Sequence, residues 1–179
     1  MGPLLPLLLW LPFACAAPEP PAPSAPSAPS APSAPLRSWA APEKVDAEGL
    51  RAQLAAATGH VRFFNFWATW CGPCIAEMPA LREFAHRHPD VEVVFVNVDF
   101  ARLQETMLPR VLAEQRLGEL SHLLLQSSNP DRDLRATVEG WRSEIPTTLV
   151  VDGAGQRREI HSVELSLAGL EAALARAMK

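Results

Sequence analysis

An apolar aromatic run that ends in two cysteines constrains this chain more than any other feature. Phe66-Trp67-Ala68-Thr69-Trp70-Cys71-Gly72-Pro73-Cys74 closes a strand-like stretch, Val61 to Trp67, and opens a helical pattern from Cys71 to His88. A buried strand that turns into a helix through Cys-Gly-Pro-Cys sets two sulfurs in the helix's first turn. Unpaired backbone N–H groups and the positive end of the dipole favour thiolate over thiol there. Cys71, nearest the terminus and expected to be the more exposed, is the candidate nucleophile. Cys74, one turn further in, is placed to attack a mixed disulfide and release the product. Gly72 and Pro73 keep the turn tight, and proline is tolerated in a first turn because its absent N–H would go unpaired.

Other uses of a Cys-x-x-Cys pair fit less well. A structural zinc site needs four ligands, but the remaining cysteine is Cys15, and His60, His86, His88, His122 and His161 form no second pair at ligand spacing. A passive disulfide across so short a loop removes little unfolded-state entropy. A copper chaperone stays open, because thiolates suit Cu(I), although no histidine stands as an obvious third ligand. A peroxidase is disfavoured by Thr69-Trp70 ahead of the first cysteine. Thiol–disulfide exchange is the chemistry the pair suits best, with no metal expected.

Strands and helices alternate around this motif. Asp46 to Ala57 carries Leu50 and Leu54 one helical turn apart, with Gly59 as a stop. Val91 to Val98 is nearly continuous Val and Phe, as in a parallel strand covered on both faces. Leu103 to Leu117 predicts a helix kinked or broken at Pro109. Leu123 to Leu125 reads as a short strand, and Asp131 to Trp141 as a short helix. Thr147 to Asp152 and Arg157 to Val163 read as a hairpin about Gly153-Ala154-Gly155. Ser166 can cap a last helix running to Met178. This order predicts an α/β sheet with helices on both faces.

The segment from Asn65 through Pro79 resembles the active site of thioredoxins, and more closely that of their extracytoplasmic TlpA/ResA-like branch. The shared residues are Trp70-Cys71-Gly72-Pro73-Cys74, then Glu77-Met78-Pro79, and far downstream Ile145-Pro146-Thr147-Thr148, in order across roughly residues 43 to 179. The resemblance implies a thioredoxin fold, a central mixed sheet flanked by helices, with Ala101 to Arg142 as a central helical insertion. It implies a cis Ile145–Pro146 bond whose backbone faces the dithiol and pairs with substrate, and a docking role for Trp70. It implies no cofactor beyond the Cys71–Cys74 disulfide. Where cytoplasmic thioredoxins place an aspartate, this chain has Asn65, which cannot take a proton near neutral pH. The branch instead carries a glutamate at the position of Glu77, three residues after Cys74. A carboxylate there raises thiol pKa values and can accept the resolving thiol's proton. The plainer reading of Glu77, a solvated charge favoured by the helix dipole, stays open.

The N-terminus predicts export. Met1 to Ala17 is apolar and ends in small residues, too short to cross a bilayer, and reads as a signal peptide. Its first basic residue is Arg37, so either the α-amino group supplies the usual charge or the start lies upstream. Cys15 follows the apolar run and resembles a lipoprotein cysteine; the alternative is a small residue of a cleaved signal. Residues 18–42 are rich in Pro, Ala and Ser and predict an extended spacer of about 3.1 Å per residue. Residues 43–179 form the predicted domain. The net charge is −4, and no basic cluster exceeds Gln156-Arg157-Arg158, which argues against nucleic acid as a partner. The expected activity is reduction of disulfides in other exported proteins, apocytochromes c among them, with electrons from a membrane thiol donor. The alternatives are a disulfide oxidase or isomerase, and the copper chaperone.

Overall fold

A computed structural model describes residues 41–179. The expected signal segment with Cys15, and all of the expected spacer but Ala41 and Pro42, lie outside the described residues.

Twelve elements make one layered unit: β1 (Glu43–Val45), α1 (Ala47–Ala55), β2 (Arg62–Trp67), α2 (Gly72–Arg87), β3 (Glu92–Asn97), α3 (Ala101–Thr106), α4 (Leu108–Glu114), β4 (Ser121–Leu125), α5 (Pro130–Thr137), β5 (Thr147–Val151), β6 (Arg157–His161) and α6 (Leu167–Ala177). The strands form one mixed sheet in the order β1-β4-β3-β2-β5-β6. β1, β4, β3 and β2 run parallel, and β2, β5 and β6 pair antiparallel.

Strand alternation sorts the core into two layers. Phe63 and Trp67 of β2 pack toward Met78, Leu81 and Phe84 of α2 and Leu170 and Leu174 of α6. Phe64 and Phe66 pack with Leu50 and Leu54 of α1 and Leu134 of α5. All six residues of β2 are buried, which accounts for its aromatic run. The Phe63 and Phe84 rings lie 4.9 Å apart, and truncating either to alanine should cost about 3–5 kcal/mol. The same alternation turns the side chain of Asn65 toward α2.

Polar groups close the helix ends. Asp46 caps α1, accepting from the Gly49 N–H at 2.8 Å, and Ser166 caps α6 as the sequence predicts. At the far end of α1 the buried guanidinium of Arg62 donates to the carbonyls of Gln53, Leu54 and Ala56. The Gln53 carbonyl also accepts from the Ala56 N–H at 3.4 Å, and the cation adds to that backbone C-cap by satisfying carbonyls that the helix end leaves short of donors.

Two features differ from the sequence reading. β1 has only three residues and offers no periodicity; it is a strand because it pairs with β4. The long helix expected after Leu103 breaks at Met107, ahead of Pro109, which sits in the first turn of α4 where its missing N–H costs nothing. The short strand expected at Leu123 to Leu125 is β4; it enters the sheet between β1 and β3, inside the region expected as an insertion, which also supplies α3, α4 and α5. Among the described residues no helix is long and apolar enough to cross a membrane.

The β5–β6 turn touches the loop after α1. Gly155 has φ +79, and a Cβ added there would lie 2.2 Å from the Ala55 carbonyl oxygen. Gly155→Ala is expected to destabilise the domain by about 1–3 kcal/mol through combined strain and overpacking. Urea unfolding checks this, and an unchanged midpoint would refute the close approach.

Candidate active site

The chain leaves β2 at Trp67 and enters α2 through a capped turn. The Cys71 N–H donates to the Ala68 carbonyl and the Cys71 carbonyl accepts from the Ile75 N–H, both at 3.1 Å. Cys71 is the N-cap of α2: its backbone is extended, and its Sγ accepts from the Cys74 N–H at 3.2 Å. A sulfur therefore does what Ser or Asp does at other helix starts. Cys71 and Cys74 are joined in a disulfide, with Cα atoms 5.2 Å apart. Cys71 keeps 5% of its surface and Cys74 none. The expected order of exposure holds, but the expectation of an openly exposed first sulfur does not, because neighbouring segments close over it. The exposed groups are Gly72, Pro73 and above all Trp70, at 66%.

One covering segment precedes β5. The Ile145–Pro146 bond is cis, and the Ile145 carbonyl oxygen lies 3.7 Å from Cys71 Sγ. Pro146 is buried and Ile145 half-buried. Pairing of Phe66 with Thr147 sets this segment beside the end of β2. Behind it, the Thr147 hydroxyl donates to the Glu144 carbonyl at 2.7 Å.

Glu77 lies beneath the site rather than in solvent. Only 1% of it is exposed, so the solvated-charge reading fails. Its Oε1 accepts from the Leu165 N–H at 3.0 Å and its Oε2 from the Asn65 amide at 3.3 Å. Burial pushes the Glu77 carboxyl up to about 7; the Leu165 and Asn65 hydrogen bonds pull the other way, and nearby Glu164 adds a small upward push. A carboxyl poised there can hold or give up a proton near neutral pH. Asn65 thus orients an acid instead of replacing one, and it also donates to the Thr148 hydroxyl at 3.0 Å.

Asp99 is a site residue that sequence reasoning missed. It is buried, and its Oδ2 accepts from the Thr69 N–H and from the Asn97 amide, each at 2.9 Å. The loop after β3 is thereby pinned to the turn that delivers Trp70 and Cys71. Two polar residues, Asn97 and Asp99, closing a Val-rich buried run were the available signal. Among the described residues, no group of three or more His, Cys, Asp or Glu is arranged to hold a metal ion.

Comparison with known proteins agrees with this geometry. Residues 26–173 match the Redoxin family. The thiol-disulfide oxidoreductase ResA of Geobacillus thermodenitrificans is 32% identical over 124 residues, which cover 67% of this chain and 66% of that protein. The match thus spans just under two thirds of that relative's length. Among solved structures, a DsbF homologue from Corynebacterium diphtheriae superposes with a TM-score of 0.57 at 18% identity, covering 68% of this chain and 74% of its own. A thiol:disulfide interchange protein of the thioredoxin family from Chlorobium tepidum gives 0.56 at 21%, covering 72% and 84%. Both likenesses establish the fold. The chain therefore belongs to the Redoxin family, as a TlpA/ResA-like member of the thioredoxin superfamily.

Proposed function

We propose that this chain is an exported thiol–disulfide oxidoreductase that reduces disulfides of other extracytoplasmic proteins, with Cys71 and Cys74 as its redox pair. One juxtaposition carries the reading: a helix-capping Cys71 sulfur beside the cis-proline carbonyl of Ile145, with the buried acid Glu77 one turn beyond Cys74.

In the reduced protein the Cys71 thiolate attacks one sulfur of a substrate disulfide. The substrate S–S bond breaks and the first substrate sulfur leaves as a thiolate. Cys74 passes its proton to Glu77 and attacks Cys71 Sγ. The mixed disulfide breaks, the second substrate thiolate leaves, and the Cys71–Cys74 bond forms. Two electrons pass to the substrate, and protons from solvent and Glu77 neutralise the leaving thiolates. Trp70 and the Ile145–Pro146 segment receive the substrate chain.

The residues favour reduction over oxidation. Strong stabilisation of the nucleophilic thiolate makes an oxidant. Here Gly-Pro separates the cysteines, and among the described residues no His, Lys or Arg side chain donates to either sulfur. An ionised Glu77 opposes a thiolate. Export follows from the apolar segment at the N-terminus and its Pro/Ala/Ser spacer, with lipid on Cys15 as the anchor. A reductant in an oxidising compartment must be recharged, so a membrane thiol donor completes the scheme. Apocytochromes c are candidate substrates.

Three outcomes are expected. Cys74→Ser should accumulate mixed disulfides with substrate on non-reducing gels and Cys71→Ser should not; equal trapping would overturn the roles. The potential should fall near the roughly −270 mV of thioredoxin, whereas a value above about −180 mV would favour the oxidase or isomerase.

The third concerns pH. The folded state keeps a proton on Glu77 that the unfolded chain gives up above its ordinary value of 4.5. The stability this contributes is full below that pH and is lost as pH rises through about 7, a decline of up to about 3 kcal/mol. Urea unfolding of Glu77→Gln should lack that decline, and the variant's resolving step above pH 7 should slow by about a hundredfold. Identical pH profiles in the two proteins would remove Glu77 from proton transfer.

A further inference from the structure

We infer that Asp131, on α5 of the inserted region, is a positioning residue for the backbone segment that presents the Ile145 carbonyl to the dithiol. The inference rests on the reductase reading above and concerns how that site holds an extended substrate chain.

The segment from Trp141 to Pro146 has no secondary structure to fix it. One carboxylate ties it to α5. Asp131 Oδ1 accepts from the Trp141 indole N–H at 2.9 Å, and Oδ2 accepts from the Arg135 Nε–H at 2.9 Å. Arg135 donates in turn to the Ser143 oxygen, and the Ser143 hydroxyl helps to lower the pKa of the Asp131 carboxyl. Asp131 and Arg135, one turn of α5, are thus linked to one another and to Trp141 and Ser143 of the loop by hydrogen bonds. Ser143 is held at φ +63, a left-handed backbone that serine rarely adopts. Such a conformation persists when surrounding contacts over-determine it. Two residues further on stands Ile145.

The clasp is also tied to the strand that delivers the nucleophile. Trp141 is buried, and its ring meets Phe66 edge-on with centroids 5.4 Å apart. Phe66 precedes Cys71 by five residues and pairs with Thr147 across the sheet. Asp131 therefore fixes the loop against the same strand whose end carries Cys71. The Ser143 hydroxyl first, then Arg135 and Trp141, hold the Asp131 carboxyl down to about 2. The carboxylate stays ionised, and the clasp intact, through the acidic end of the range in which exported proteins work.

A positioning role separates substrates by size. A protein disulfide must lay its backbone along Ile145, whereas hydroxyethyl disulfide has no backbone to lay. Asp131→Ala should raise KM for insulin about tenfold at nearly constant kcat, and leave turnover of hydroxyethyl disulfide within about twofold. Asp131→Asn keeps an acceptor for Trp141 and should fall between. Ser143→Gly suits a positive φ yet removes the hydroxyl, and should also raise the insulin KM without lowering the unfolding midpoint. A purely structural role would instead depress both substrates by one common factor, and that result, or wild-type kinetics in Asp131→Ala, overturns the inference. Amide hydrogen exchange supplies a readout that needs no activity: Arg142 to Ile145 should exchange at least about tenfold faster in Asp131→Ala, and unchanged exchange refutes the clasp. Should the wild-type chain reduce neither substrate, the reductase reading fails and the exchange measurement alone decides whether Asp131 holds the loop.

Discussion

The antiparallel pairing of β2 with β5 is the contact on which the site depends. β2 ends four residues before Cys71, and β5 begins one residue after the cis proline. Because the strands run in opposite directions, the end of one lies beside the start of the other, with Phe66 opposite Thr147. A parallel pairing would leave the two motifs at opposite ends of the sheet. A register slip of one residue would turn Asn65 away from α2 and exchange Phe63 and Trp67 with Phe64 and Phe66 between two differently packed layers. The burial of Phe63, Phe64, Phe66 and Trp67 is therefore what holds the register, and the register is what brings Ile145 to Cys71.

The helix start adds chemistry to that placement. Cys71 Sγ caps α2 by accepting from the Cys74 N–H. In the reduced state the same donor can stabilise a thiolate through a charge-assisted hydrogen bond, stronger than a neutral one. The cap and the proposed nucleophile are one atom, so in the proposed cycle each turnover alters the end of the helix on which the site is built.

Beneath the sulfurs the fold maintains a polar arrangement that costs free energy. Glu77 is buried, and its desolvation is only partly offset by the Leu165 N–H and the Asn65 amide. A well-packed apolar residue there would be expected to stabilise the domain. The proposed role of Glu77 as proton acceptor accounts for the cost, since general acid–base efficiency peaks where the pKa lies near the operating pH. Asp99 carries a similar burden on the other side, holding the Thr69 turn from the loop after β3.

The local sequence was sufficient for the parts whose physics is local. Helix starts at Asp46 and Ser166, the strand character of Arg62–Trp67 and Glu92–Asn97, and the paired sulfurs at the head of α2 all follow from capping, alternation and turn chemistry within a few residues. The place of Glu77 at a helical turn from Cys74 was equally legible, but its burial was not, because that depends on Leu165, 88 residues away. β1 could not be read from three residues that are a strand only in the company of β4. The break at Met107 was expected at Pro109, because proline's preference for a first helical turn decides where the new helix starts. Asp131 gave no signal of its own and Asp99 only its place at the end of a Val-rich run: each acts through backbone or side-chain groups that topology brings to it. The sequence alone determined which residues can do the chemistry, since reactivity resides in residue type and immediate spacing. Tertiary structure decided which of them meet and how strongly their protons are held, since distance and dielectric are properties of the packed chain.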